Sequence, residues 1–271
     1  MITLYRPSGY DSPRASSFAG RSVDDKPLDV ENGSLFKEID TGRIFRYDKE
    51  NNLWIEQKST TGGGGATEPY IEETYDADGN LIGAKMYGYT KVRDYLFAYC
   101  PSLAHVSFSE GLTSIGNSAF DSCTSLALTS LPAGVTSIGD GAFAGCSNLA
   151  LTSLPAGVTS IGIEAFVDCT SLALTSLPEG LTSIGNGTFA GCSNLALTSL
   201  PEGLTSIGNG TFVGCTSLTS ITFKGTPTTI AANAFNSCTN LTDIKVPWAE
   251  GAVANAPWGA TNATITYNYT E

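Results

Sequence analysis

The sequence has few charged residues, and positive charge is the scarcer sign. Charged residues make up 15% of the chain, and 14 Lys and Arg stand against 26 Asp and Glu, for a formal net charge of −12. Nucleic-acid backbones and anionic membrane surfaces are bound by clustered basic residues. We therefore predict that the protein binds neither nucleic acid nor a membrane surface.

Long hydrophobic stretches are also missing from the sequence. No run approaches the roughly 18 consecutive apolar residues of a membrane-spanning helix, so we predict no membrane insertion. Residues 1–22 contain no apolar stretch followed by a small-residue cleavage site. We therefore expect no cleavable secretory signal in this segment.

Side chains that perform catalysis or hold metals are scarce. The single histidine, His105, follows Cys100 by five residues, and no third residue is evident that would orient such a pair. The cysteines lack the close spacing of a zinc site. The glycine run at 62–65 is not followed by the Lys-Ser or Lys-Thr of a phosphate-binding loop. We predict a protein that is not an enzyme, with no catalytic residue, no metal and no cofactor.

A 23-residue repeat dominates the middle of the chain. Phe, Cys and Leu recur every 23 residues, three residues apart from one another, and an Ile column keeps the same period. A single 23-residue coil cannot bury these side chains, whereas stacked coils bury them as continuous ladders. The predicted structural ladder contains Phe120, Cys123, Phe143, Cys146, Phe166, Cys169, Phe189, Cys192, Phe212 and Cys215.

The repeat unit LTSLPAGVTSIGDGAFAGCSNLA, residues 128–150, resembles the BspA-like leucine-rich repeats over roughly Tyr89 to Val246. The resemblance implies a mostly β fold, a leucine-rich repeat solenoid of 23-residue coils with short parallel strands and short helical turns. Repeats of this kind usually bind other macromolecules, often at surfaces, and are not usually catalytic.

The cysteine column has two interpretations, disulfides or free thiols. Seven is an odd number, and equivalent side chains in stacked coils point the same way, which is poor disulfide geometry. We predict small buried thiols that fill one corner of each coil.

The four inner coils share a departure from the repeat pattern. They carry Thr where the outer coils have an inward aliphatic residue, and they carry Leu one position earlier. If the strand frame is kept, these Leu form an exposed apolar stripe; if the register slips by one residue, they are buried. The candidate binding residues are the four Leu and the Ser that follow them: Leu128, Leu151, Leu174, Leu197, Ser130, Ser153, Ser176 and Ser199.

The segment before the repeats contains β-favouring runs at 35–39, 43–47 and 53–56, separated by turn residues. This pattern predicts a three-stranded meander, and its sequence resembles a small module found near the start of phage and prophage structural proteins. In that resemblance the anchoring residues are Phe36, Asp40, Gly42, Tyr47 and Trp54.

Composition divides the rest of the chain into polar, glycine-rich and aromatic segments. Two runs that flank Asp76 to Asn80 predict a β-hairpin, and with Tyr87, Tyr89, Tyr95 and Tyr99 it is expected to seal the first coil. The predicted domains are an extended or disordered arm at 1–32, the β module at 33–58, a Gly-rich linker at 59–67, the hairpin cap with a first degenerate coil at 68–99, the solenoid at 100–246, and an aromatic cap at 247–271 with Trp248, Trp258 and Tyr267.

Three functional hypotheses follow from these features. The first is a non-catalytic virion structural protein of the fibre, decoration or receptor-binding type, assembled in the host cytoplasm. It would contact other virion proteins through its N-terminal region and a host-surface protein or glycan through the solenoid, and a homotrimer fits the analogy with fibre proteins. The second is a BspA-like adhesin, at the bacterial cell surface or secreted, and the third is an accessory protein of carbohydrate-active enzymes.

Overall fold

The computed structural model describes residues 69–270 in full and, before them, the backbone of five strands. The chain forms two compact units. The first comprises Met1–Tyr89 and His105–Gly111, and the second comprises Thr90–Ala104 and Leu112–Glu271. Residues 68–99, expected to act as one cap, are thus divided between the two units.

The first unit is an eight-stranded sheet. Its strands in chain order are β1 (Thr3–Pro7), β2 (Ser17–Gly20), β3 (Leu35–Glu38), β4 (Ile44–Asp48), β5 (Leu53–Gln57), β6 (Tyr70–Tyr75) and β7 (Leu81–Tyr87); β8 (Lys91–Val92) belongs to the second unit, and β9 (His105–Ser107) completes the first. The spatial order is β5-β4-β3-β2-β1-β6-β7-β9. The runs at 35–39, 43–47 and 53–56 thus correspond to β3, β4 and β5, which pair antiparallel with Tyr47 opposite Trp54.

The amino-terminal arm differs from the expectation of an extended or disordered segment. β1 pairs antiparallel with β2 and with β6, and β2 pairs parallel with β3. Each of these partners supplies backbone hydrogen bonds from another part of the sheet. The composition of the arm alone does not reveal them, because β1 and β6 are more than 60 residues apart.

The second unit stacks coils whose small strands form parallel ladders. These strands are β8 and β10 (Ser114–Ile115), β11 (Ser137–Ile138), β12 (Ser160–Ile161), β13 (Ser183–Ile184), β15 (Ser206–Ile207) and β17 (Thr229–Ile230). On another side of the last coils lie β14 (Ser199–Leu200), β16 (Ser220–Phe223), β18 (Asp243–Lys245) and β19 (Thr264–Thr266), paired in that order. The repeat keeps its 23-residue register throughout, as in the pairing of Ser114 with Ser137.

The core consists of ladders of identical side chains. Successive Phe rings from Phe97 to Phe235 stack with centroids 5.0–5.7 Å apart and planes within 17° of each other. Leu and Ile columns with the same period are also buried. The predicted mostly β solenoid of 23-residue coils is therefore confirmed.

The short helical turns are a correction: the described residues contain no helix. The turn side of each coil is held by hydrogen bonds to the next coil instead, such as Phe120 N–H to Ala142 O (2.8 Å) and Ser122 N–H to Ala144 O (2.7 Å). Alternate residues there adopt positive φ, as Gly141 and Gly145 do, which interrupts a right-handed helix.

A column of Asn and Asp side chains links each small strand's corner to the next. The Oδ1 atoms of Asp94, Asn117 and Asp140 each accept a hydrogen bond from the backbone amide 23 residues later, over 2.7–3.0 Å. Ile163 interrupts this column because its side chain has no acceptor. At the same place the strand ladder divides between β12 and β13.

The far end of the solenoid is aromatic. Trp258 lies 23 residues after Phe235, is fully buried, and its carbonyl accepts the Phe235 amide (2.9 Å). Phe223 contacts both Trp248 and Trp258 at ring distances of 5.2 and 5.9 Å. Tyr95 and Tyr99 do not seal the first coil as expected, since they are 65% and 71% exposed.

Candidate binding surface

The inner coils of the repeat region bury a different set of residues from the outer coils. In the outer coil that starts at the buried Leu218, Ile221 and Phe223 are buried, at offsets of three and five residues. In the inner coil that starts at Leu149, Leu151 and Leu154 are buried instead, at offsets of two and five. One inward position has therefore moved by one residue, while the positions on either side keep their frame.

This shift decides where the candidate leucines lie. Leu151, Leu174 and Leu197 are at most 2% exposed, and Leu128 is half-buried. The interpretation of these residues as an exposed apolar stripe is therefore corrected. Burying one Leu side chain is worth about 1.5–3 kcal/mol, more than the few strand hydrogen bonds that regular alternation would preserve there.

The surface that results is small, polar and uncharged. We call it the hydroxyl face, and it comprises residues 127–130, 150–153, 173–176 and 196–199. Its threonines are all exposed, and its serines are exposed except for the half-buried last one. The hydroxyl residues are Thr129, Ser130, Thr152, Ser153, Thr175, Ser176, Thr198 and Ser199.

The backbone of the hydroxyl face is largely unpaired. Its coils are connected by Ala150 N–H to Leu128 O (3.0 Å) and Ala173 N–H to Leu151 O (3.0 Å). Within the described part of the chain, the amides of 151–153 and 174–176 donate no hydrogen bond to another protein group. The shift that buries the Leu therefore leaves amide donors beside small side chains, where another chain can approach closely.

Acidic residues lie around this face, and cations are rare. Eight carboxylates and no Lys or Arg occur from Asp94 to Phe223. The exposed Glu179 forms an ion pair with Lys224 (2.7 Å) that spans two coils, and the hydrogen bond from Lys224 lowers the pKa of Glu179. The surroundings of the hydroxyl face are thus negative, while the face itself carries no charge.

The cysteine column is a structural element. All seven cysteines are free, and the thiols from Cys123 to Cys238 each donate to the carbonyl of the Phe 26 residues earlier, over 3.0–3.1 Å. Burial raises the pKa of Cys123 to about 12 and that of Cys238 to about 11. Neutral thiols of this kind are poor nucleophiles and poor metal ligands.

The other predicted residues are placed as follows. His105 is exposed on β9 of the first unit, whereas Cys100 belongs to the second. Among residues 69–270, no three His, Cys, Asp or Glu side chains are grouped to hold a metal ion, and no helix could cross a membrane. Asp40, Gly42 and the linker at 59–67 lie outside the described residues, as do the side chains of Phe36, Tyr47 and Trp54.

The comparison with known protein families reflects this repeat. The family described as the BspA type leucine-rich repeat region matches residues 90–199 and 159–252, with six copies. The chain belongs to the BspA-type leucine-rich repeat family. Family membership therefore rests on the second unit, and the N-terminal β module takes no part in it. No curated protein sequence matches the chain.

Solved structures with similarity to this BspA-type chain also come from leucine-rich repeat proteins. A leucine-rich cell-surface protein from Faecalibacterium prausnitzii is 26% identical (TM-score 0.43), the match covering 61% of this chain and 59% of that one. A leucine-rich repeat protein of T. pallidum is 29% identical (TM-score 0.37; 55% and 87% covered), and one from Bacteroides ovatus is 20% identical (TM-score 0.35; 72% and 75% covered). The match thus spans less than two thirds of the first of these chains.

Proposed function

We propose that the protein is a non-catalytic, adhesin-type binding protein of the cell surface, and that the hydroxyl face binds an extended segment of a protein partner. The observation that carries the proposal is the unpaired backbone of the inner coils. Free amides beside Thr and Ser hydroxyls offer a partner chain the hydrogen bonds that a neighbouring strand would make. Small side chains permit the close approach that such bonds need.

Family membership supports this proposal over virion attachment. BspA-like repeats are associated with surfaces and with binding, which is the second of the three sequence-based hypotheses. The virion hypothesis depended on the module at 33–58, which lies outside the matched region. The ladders of buried Phe and Leu add rigidity, which lowers the entropic cost of binding because the surface is preorganised.

Localisation tests the first part of the proposal. Intact cells of the producing organism are treated with a non-specific protease, and released peptides are identified by mass spectrometry. We expect peptides from residues 69–270 in the released fraction, at an abundance well above that of cytoplasmic markers. Recovery of the protein only in purified phage particles would support the virion hypothesis instead.

Photocrosslinking tests the second part. p-Benzoylphenylalanine replaces Ser153 on the hydroxyl face or, as the matched control, Thr159 on the small-strand side of the same coil. Both residues are exposed, so neither change disturbs the core. We expect crosslinks to surface proteins from position 153 and far fewer from position 159. Equal crosslinking from both positions, or none from position 153, would show that the hydroxyl face is not the binding surface.

A further inference from the structure

Two tyrosines on the turn side of the first coil project into solvent. Tyr95 and Tyr99 are 65% and 71% exposed, the highest values among the large hydrophobic side chains of the described residues. The next coil has Ser118 and Ser122 at these positions. Both rings therefore lie next to a surface of small side chains.

The backbone at both tyrosines adopts a conformation that disfavours bulky residues. Tyr95 and Tyr99 each have φ of 59°, in the left-handed region. The third coil uses Gly141 and Gly145 at the same positions, with φ of 57° and 68°. A bulky residue with positive φ is an outlier, and such strain occurs where the side chain serves a ligand.

The tyrosine backbone is held firmly despite this strain. The Tyr95 amide donates to Asn117 O (2.9 Å), and the Tyr99 amide donates to Asp121 O (2.7 Å). The carboxylate of Asp121 accepts a hydrogen bond from Ser122 Oγ (2.8 Å), which fixes it in the coil next to Tyr99. Two aromatic rings, a carboxylate and a hydroxyl group are therefore offered by two neighbouring coils.

The charge at this surface favours a neutral ligand. Asp121 is acidic, and no Lys or Arg occurs in the chain between Tyr95 and Phe223. In the coil that carries the tyrosines, Lys91 is paired with Asp94 (3.5 Å). An anionic polymer would therefore be repelled here, because nothing offsets the carboxylates.

We infer that Tyr95 and Tyr99 form a binding platform for a neutral polysaccharide. The C–H faces of sugar rings stack on the negative faces of the aromatic rings, while the phenol hydroxyls, Asp121 and Ser122 hydrogen-bond sugar hydroxyls. This site is separate from the hydroxyl face and would not depend on a protein partner there. It gives the chain a second ligand class and a second binding position.

Affinity electrophoresis of the full chain tests this inference. Native gels contain mannan, dextran or hydroxyethyl cellulose, and a polygalacturonate gel serves as the anionic comparison. We expect at least one neutral polymer to retard the protein, while polygalacturonate does not. Replacing both tyrosines by Ser, the residue of the next coil, should weaken the binding about tenfold or more (about 1.4 kcal/mol).

Controls separate binding from folding. Y95F/Y99F keeps both rings and should retain most of the retardation, and D121N should weaken binding without changing the melting temperature. The Y95S/Y99S protein should unfold at the wild-type temperature or above, because Ser already occupies both conformations one coil further on. Wild-type mobility unchanged in all three neutral polymers, or equal retardation of Y95S/Y99S, would overturn the inference.

Discussion

Restoring the interrupted Asn/Asp column at Ile163 should stabilise the solenoid. In the other direction along the column, Asn186 Oδ1 accepts from the Asn209 amide at 2.8 Å, so the arrangement resumes one coil later. Ile163 is 47% exposed and lacks an acceptor for the amide of Asn186. The substitution Ile163→Asn supplies that acceptor on a backbone that already has the required position.

The size of the effect follows from the missing hydrogen bonds. Gly162 N–H to Ile138 O (2.9 Å) and Thr159 N–H to Thr136 O (3.0 Å) hold the preceding coil. Their counterparts from Gly185 and Thr182 are absent within the described residues. One restored hydrogen bond is worth about 1 kcal/mol, and closure of the ladder would bring the gain to about 3 kcal/mol. Each kcal/mol corresponds to about 2–4 °C in melting temperature for a domain of this size.

Thermal unfolding and amide exchange together check the prediction. I163N should raise the melting temperature and protect the amides of Asn186 and Gly185 from hydrogen exchange. The matched control is I163A, which removes the exposed hydrophobic side chain without adding an acceptor. An equal gain for I163A would assign the effect to loss of the Ile side chain. A melting temperature for I163N at or below the wild-type value would refute the reasoning.

Three further predictions concern the turn glycines, the shifted leucines and the buried thiols. Gly145→Ala should cost about 1–2 kcal/mol in urea unfolding because φ is 68°, whereas Gly157→Ala, whose Cβ would meet nothing nearer than 3.8 Å, should cost nothing; equal costs would contradict this explanation. Leu174→Ala should cost about 2–5 kcal/mol and the exposed Thr175→Ala less than about 0.5 kcal/mol, and the reverse order would return Leu174 to the surface. The pKa of Cys123 rises from 9.0 to about 12 on folding, so stability should be full below pH 9 and fall as pH rises towards 12; urea midpoints that do not change from pH 8 to pH 11 would contradict this.

The hairpin and the solenoid could both be predicted from sequence because their signals are local or periodic. The turn Asp76–Asn80 is closed by hydrogen bonds from the Asp78 and Asn80 amides to Asp76 Oδ1 (3.0 and 2.8 Å), which is why these residue types indicate a hairpin. The sheet that receives this hairpin was not predicted. β1 and β6 are distant in sequence, and their pairing depends on the rest of the first unit.

The candidate binding surface shows the same division. The sequence identified the four inner coils as different, since Thr129 and its equivalents interrupt the aliphatic pattern. It left open which of two adjacent residues would be buried. Exposed Tyr95 and Tyr99 were expected in a cap, because aromatic residues in sequence carry no sign of which way the backbone turns them.

By itself, the sequence determined the period, the identity of every ladder and the absence of basic residues from the repeat region, since these are properties of composition and spacing. The tertiary structure alone decided that Leu151 points inward and Thr152 outward, and that the amides beside them remain unpaired. The physical reason is competition between two terms of similar size. Strand alternation preserves a few hydrogen bonds, and burial of Leu removes apolar surface from water. Only the packing of neighbouring coils determines which term prevails.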